Sequence, residues 1–165
     1  MNRKTKVLIG VSAITIAAGL AFATAPVNLA GSVVGAGNSA AWIKVHGVAQ
    51  TANGSYFNVY LTTQGPSTIS TQVVSYKAGG ETGWHSHPGL VTVTLTQGTI
   101  QWYDVNCNLT NYTAGDSWAE GSQTHTFRVV GSETTLAYAT FITAEGEALR
   151  TDEPAPACAA ALGLT

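Results

Sequence analysis

From Trp42 onward the chain alternates short runs rich in Val, Thr, Tyr and Ile with breaks that carry Gly. β-Branched and aromatic residues in runs of this length favour strands, and Gly, Asn and Pro between them favour turns. The pattern predicts strands over 42–48, 56–63, 67–76, 90–96, 99–103, 117–119, 124–130 and 136–143. Turn pairs such as Asn53-Gly54, Gly65-Pro66, Gln97-Gly98 and Gly131-Ser132 separate them. No helical period longer than two turns runs through this region, so the regular short strands predict an all-β barrel or sandwich. Residues 151–165 carry two prolines and then small residues, which predicts an irregular tail with room for a short helix.

The front of the chain has a different pattern. Residues 2–6 are Asn-Arg-Lys-Thr-Lys, and Val7 to Ala23 follow without a charge. A basic start, an apolar middle and small-residue pairs (Ala21/Ala23, Ala23/Ala25, Asn28/Ala30) are the layout of a secretory signal peptide. The expected division is a signal peptide over 1–30, a flexible Gly/Ser/Ala linker over 31–40, a single barrel domain over 41–150, and the tail over 151–165. Export to a secreted or extracytoplasmic location follows. The other reading is an uncleaved membrane anchor, since 17 residues is about the lower limit for a span. Only in that case does the chain have a membrane partner.

Composition narrows the class. A chain of 165 residues fits one domain, and 45% hydrophobic with only 10% charged residues excludes intrinsic disorder. The net charge of −2 conceals an asymmetry. Beyond the leader, four basic residues (Lys44, Lys77, Arg128, Arg150) face nine acidic ones, a net of −5. Phosphate contacts need Lys and Arg, so nucleic acid is not an expected partner. Cys107 and Cys158 are the only cysteines. An even count in an exported chain favours a disulfide between them, and fifty residues of separation does not resemble a zinc knuckle.

The chemistry-bearing residues are histidines. His85 and His87 lie at i and i+2, which on extended chain places both imidazoles on one face, where such a pair can share a divalent ion. Val91, Val93 and Leu95 continue the odd-numbered parity, while Thr92, Thr94 and Thr96 take the other face. His125, Phe127 and Val129 repeat the mix of one imidazole with apolar neighbours. Both segments therefore suit the interior of a barrel. His46 has no role assigned by this pattern. Trp84, Trp102, Trp118 and Tyr103 fit half-buried packing better than a pocket mouth. No Gly-x-Ser-x-Gly elbow, phosphate loop or zincin helix is present.

Gly79, His85, His87 and Gly98 resemble the first motif of the cupins, and Gly115, Gly121 and His125 resemble the second, without its usual Pro and Asn. The likeness spans about Val73 to Thr143 and extends to a group of small exported bacterial cupins. It implies a double-stranded β-helix, or jelly-roll, barrel. It also implies one divalent metal (Fe, Mn, Zn, Cu or Ni) on His85, His87 and His125. The position where the family carries a Glu ligand holds Val91. That leaves a three-imidazole site with its full 2+ charge, and Gln123 as an additional ligand by parity, with Glu120 and Glu81 weaker candidates. The pocket would be lined by Val91, Val93, Leu95, Phe127 and Val129. Relatives with three His and no Glu include iron dioxygenases, so a metal-dependent oxygenase or isomerase of a small organic molecule is expected. The alternative is a non-catalytic extracytoplasmic barrel that binds a ligand or metal. Cupins often form dimers through edge strands, which makes a homodimer an expectation as well.

Overall fold

The structure is a computed structural model that describes residues 23–164. The basic start and most of the uncharged stretch lie outside the described residues. Twelve strands and one helix follow in order: β1 (Val27–Ser39), β2 (Lys44–Gln50), β3 (Tyr56–Thr62), β4 (Ser67–Glu81), β5 (His85–Ser86), β6 (Leu90–Gln97), β7 (Thr99–Asp104), β8 (Leu109–Thr113), β9 (Ser117–Glu120), β10 (His125–Val130), β11 (Thr135–Ala144), β12 (Thr151–Asp152) and α1 (Ala159–Leu162). Among the described residues no helix is long and apolar enough to cross a membrane.

Ten of the strands form one antiparallel sheet folded into a nearly closed barrel. One wall runs β1-β4-β11-β6-β9 and the other β8-β7-β10-β5-β12; they join where Arg128 of β10 pairs with Glu81 of β4. The alternation expected for β6 is visible in its burial: Val91, Val93 and Leu95 are buried and their Thr neighbours exposed. These three pack with Ile100, Ala137, Ala139 and Phe141 as the central core. The fold is thus an all-β double-stranded β-helix, and every strand expected from the sequence has a counterpart.

The front of the chain is where the expected division fails. Residues 31–40 are no linker, because Val27–Ser39 forms a strand paired with β4 over its whole length. Strand geometry there comes from the hydrogen-bonding edge that β4 offers, which overrides the weak propensity of Gly, Ala and Ser. The expected 1–30 leader also overlaps the fold. Ala23 bridges to Pro154, and Val27–Ala30 belong to β1.

The tail is anchored twice. Cys107 and Cys158 form a disulfide across a sequence separation of 51, and α1 ends on Gly163 in a left-handed conformation. Ala159 and Leu164 pack on Trp84 and Tyr103 as a second core, against which Cys107 also rests. The tail therefore presses on the strand that carries His85.

Candidate metal centre

The centre is built from four short segments. Gly83, with φ of +67°, turns the chain out of β4; a Cβ there would lie 2.5 Å from the carbonyl oxygen of Thr24, so only glycine fits. Trp84 follows, fully buried in the second core, with its backbone N–H donated to Thr24 Oγ1. His85 is thereby fixed on β5, with His87 two residues on. His125 opens β10 directly opposite His85. Glu120 ends β9 and pairs across the ladder with Val91 of β6. The carboxylate thus stands one strand away from the place the family motif gives it, at the same level of the barrel.

One ligand atom from each of His85, His87, His125 and Glu120 lies within 4.8 Å of all the others. Bonds of about 2.1 Å place ligands on opposite sides of an ion about 4.2 Å apart, so a small contraction closes the group on one ion. The tautomers favour this. Nδ1 of His85 is 2.9 Å from the Gly83 carbonyl, Nδ1 of His87 is 2.7 Å from that of Leu149, and Nδ1 of His125 is 2.8 Å from that of Gln123. A carbonyl only accepts, so each Nδ1 carries a proton and Nε2 is the ring nitrogen left to face an ion. Nε2 of His87 and of His125 is buried without a hydrogen-bond partner, at 3.3 and 3.4 Å from Glu120 Oε2. Two ring nitrogens this close to a buried carboxylate call for positive charge between them, and a shared cation supplies it to all of them at once.

The electrostatics agree with an ionised carboxylate and, at His85, a neutral imidazole. Burial, then the charges of His125 and Arg150, push the His85 imidazole down to about 3, against the opposing pull of the Gly83 carbonyl. Burial alone would raise the Glu120 carboxyl. Hydrogen bonds from the His125 and His87 rings and the positive charge of His125, with the hydrogen bond from Trp118, hold it well below the usual carboxylate range, a role that a cation on the same Nε2 atoms would take over. The indole N–H groups of Trp118 and Trp102 both donate to Glu120 Oε1, at 2.7 and 3.1 Å, which turns Oε2 toward the imidazoles. Trp102 also stacks on His125. Two of the aromatic residues expected only to pack therefore hold the carboxylate in place.

Of the additional candidates, Gln123 is exposed and reaches the centre only through its backbone carbonyl, while Glu120 stands within the cluster as a potential fourth donor beside the three imidazoles. Glu81 sits at the end of β4, outside the cluster. The signal for Glu120 was the alternation in Ser117-Trp118-Ala119-Glu120, where Trp118 and Glu120 share one face. Ending the expected strand at Ala119 hid it. A divalent ion held there would have one unit of its charge cancelled by the ionised carboxylate, and its Lewis acidity would be lower than three imidazoles alone would leave.

Beside the cluster lies a cavity of about 170 Å³. Val91, Val93, Leu95 and Phe127 line it together with His85, His87, Glu120 and Arg150. Val129, expected there, is buried but is not part of the lining, although its cross-strand partner Ile100 is. Tyr103 is turned to the second core.

No protein-family model matches this sequence, and no curated protein matches it. Solved structures similar to it include the cupin domain of Schizosaccharomyces pombe Cnp3, at 16% identity and TM-score 0.43, covering 61% of this chain and 87% of that one. A Klebsiella pneumoniae protein with a double-stranded β-helix domain is 26% identical at TM-score 0.44, covering 52% and 75%. A cupin domain from Bordetella pertussis is 16% identical at TM-score 0.41, covering 61% and 94%.

The four-residue centre makes a specific prediction. Glu120→Gln should weaken divalent-metal binding by more than the roughly 10–100-fold typical of removing an outer partner, whereas Gln123→Ala should leave it unchanged. Competition titration against a chromophoric chelator measures both; equal affinities for wild type and Glu120→Gln would show that the carboxylate is no ligand. His85 and His87, which resemble the first cupin motif, and His125, which resembles the second, thus lie on the inner face of a ten-stranded antiparallel double-stranded β-helix.

Proposed function

We propose that this chain is an exported cupin that binds one divalent metal ion on His85, His87, His125 and Glu120 and uses it on a small organic molecule in the adjoining cavity. The observation that carries this reading is the convergence of three Nδ1-tethered imidazoles and one carboxylate. A bound ion supplies Lewis acidity, and iron, manganese or copper adds redox chemistry with O₂. The chain's own part is to hold the substrate between apolar walls, exclude water and orient it. Oxygenation or isomerisation is the reaction class this supports.

A second reading, a non-catalytic binding barrel, draws on the rest of the lining. Apart from the ligand residues, its polar groups are Gln72, Thr82, Thr135, Tyr76 and Arg150. Burial pushes the Tyr76 hydroxyl above its usual value, which keeps it neutral. None of these is poised as a general base near neutral pH.

Export also has a preferred boundary. Thr24 accepts the Trp84 N–H and β1 begins at Val27, so a cut after Ala30 would remove both supports, while a cut after Ala23 keeps them. Untagged protein recovered after export should therefore begin at Thr24 by mass, carry about one metal equivalent per chain, and lose it in His85→Ala. Metal-free protein, unchanged by that substitution, would overturn the metal reading; an N-terminus at Gly31 would overturn the boundary. Iron-loaded protein consuming O₂ with one of a panel of thiols, diketones and phenols supports the enzyme. Silence across the panel favours the binder.

We infer further that the partner of this chain is a second copy. The β2–β3 hairpin has an apolar face of Val45, Ala49, Phe57, Val59 and Leu61, with Phe57 59% and Val45 52% exposed, and isolated two-stranded hairpins are marginal in water. From Val27 to Gly80 the only charged residues are Lys44 and Lys77, the charge depletion found at interface cores. Beside the hairpin's root, β1 offers a shallow groove of Val34, Gly35, Ala36, Gly37 and Ile69 whose small residues accept large ones, so knob and groove occur on the same chain. Light scattering should find a dimer that Phe57→Lys converts to monomer. A monomeric wild type would refute it.

A further inference from the structure

The cavity contains one cation that the metal centre does not use. Arg150 lines the cavity, and its Nη2 is buried without a hydrogen-bond partner. A buried, unpaired guanidinium nitrogen is costly, and native structures rarely leave one unless a ligand completes it. Its position is built rather than incidental. Nε is held by Asp152 Oδ1, which sets the plane of the guanidinium. Thr151 and Asp152 pair with Ser86 and His85, so the same register continued by one residue sets Arg150 beside His87. The preceding carbonyl, that of Leu149, accepts from His87 Nδ1. One short segment therefore orients a metal-facing imidazole and delivers a positive charge next to it.

We propose that the cavity binds a small organic monocarboxylate, its carboxylate on the Nη2 of Arg150 and its apolar body among Val91, Val93, Leu95, Phe127 and Phe141. This rests on the reading of the cavity as the substrate chamber. Planar carboxylates match the fork of a guanidinium, and an ionised pair of this kind is stronger than a neutral hydrogen bond. The remaining walls offer little to a second charged group. An apolar cavity of about 150 Å³ accepts benzene, so about 170 Å³ suits a body of about six carbons. The same guanidinium would select against neutral analogues, which leave Nη2 without an ionic partner.

Calorimetric titration of the purified protein with butyrate and benzoate, against butyramide and benzamide, tests this in metal-free and zinc-loaded forms. Each carboxylate should bind at least tenfold more tightly than its amide in wild type. Arg150→Met should abolish that preference while leaving amide binding and zinc uptake unchanged, and Arg150→Lys should restore part of it. Should Arg150→Met fold poorly, Arg150→Lys and the wild-type amide comparison still decide. No binding by any acid, or equal binding of acid and amide, overturns the proposal. Carboxylate binding that requires zinc and ignores Arg150 overturns it while leaving the metal centre intact. Arg150-dependent binding by protein that takes up no zinc supports it and removes the metal reading instead.

Discussion

Three hydrogen bonds from imidazole Nδ1 to backbone carbonyls hold the centre of this molecule together. Each acceptor belongs to a different part of the chain: Gly83 after β4, Gln123 before β10, and Leu149 in the segment that leads to the tail. Fixing the Nδ1 proton decides the ring orientation and leaves Nε2 as the nitrogen that faces inward. The barrel walls would fold around an apolar core without this arrangement. What the walls add is position, because His125 faces His85 across one pair of strands and Glu120 faces Val91 across another.

That dependence makes parts of the chain that look peripheral necessary to the centre. Thr24 supports Trp84, which stands next to His85 in the second core. The tail packs Ala159 and Leu164 on the same Trp84, and the Cys107–Cys158 disulfide holds the tail there. A disulfide closing about 50 residues restricts the unfolded chain by about 4 kcal/mol on the entropy account. Its effect at the site is local: it keeps the 149–153 segment against the histidine strand, so that both Leu149 and Arg150 reach the cavity.

Much of this was legible in the sequence, and the failures have physical reasons. The period-2 alternation of Val91, Val93 and Leu95 against threonines reported the inner face of β6, since one face of a barrel strand is buried. His85, His87 and His125 were visible as chemistry on that same inward parity. β1 was invisible because Gly, Ala and Ser carry no strand signal of their own; pairing with β4 makes the strand. Glu120 was discounted because a motif reserves the carboxylate for the position of Val91. The cross-strand register that brings Glu120 opposite Val91 is a long-range fact with no local signature. Arg150 was equally silent, since only the two-residue pairing of β12 with β5 brings it to the cavity.

The Glu120 carboxylate decides the character of the proposed centre, because it would give an ion on three imidazoles a compensated charge. X-ray absorption at the zinc edge of the loaded protein reads that donor set directly. Scattering from three imidazole rings together with a light carboxylate oxygen, at bonds of about 2.0–2.2 Å, is the predicted result. Three imidazoles whose remaining shell is unchanged in Glu120→Gln, or a shell without imidazole scattering, would contradict it.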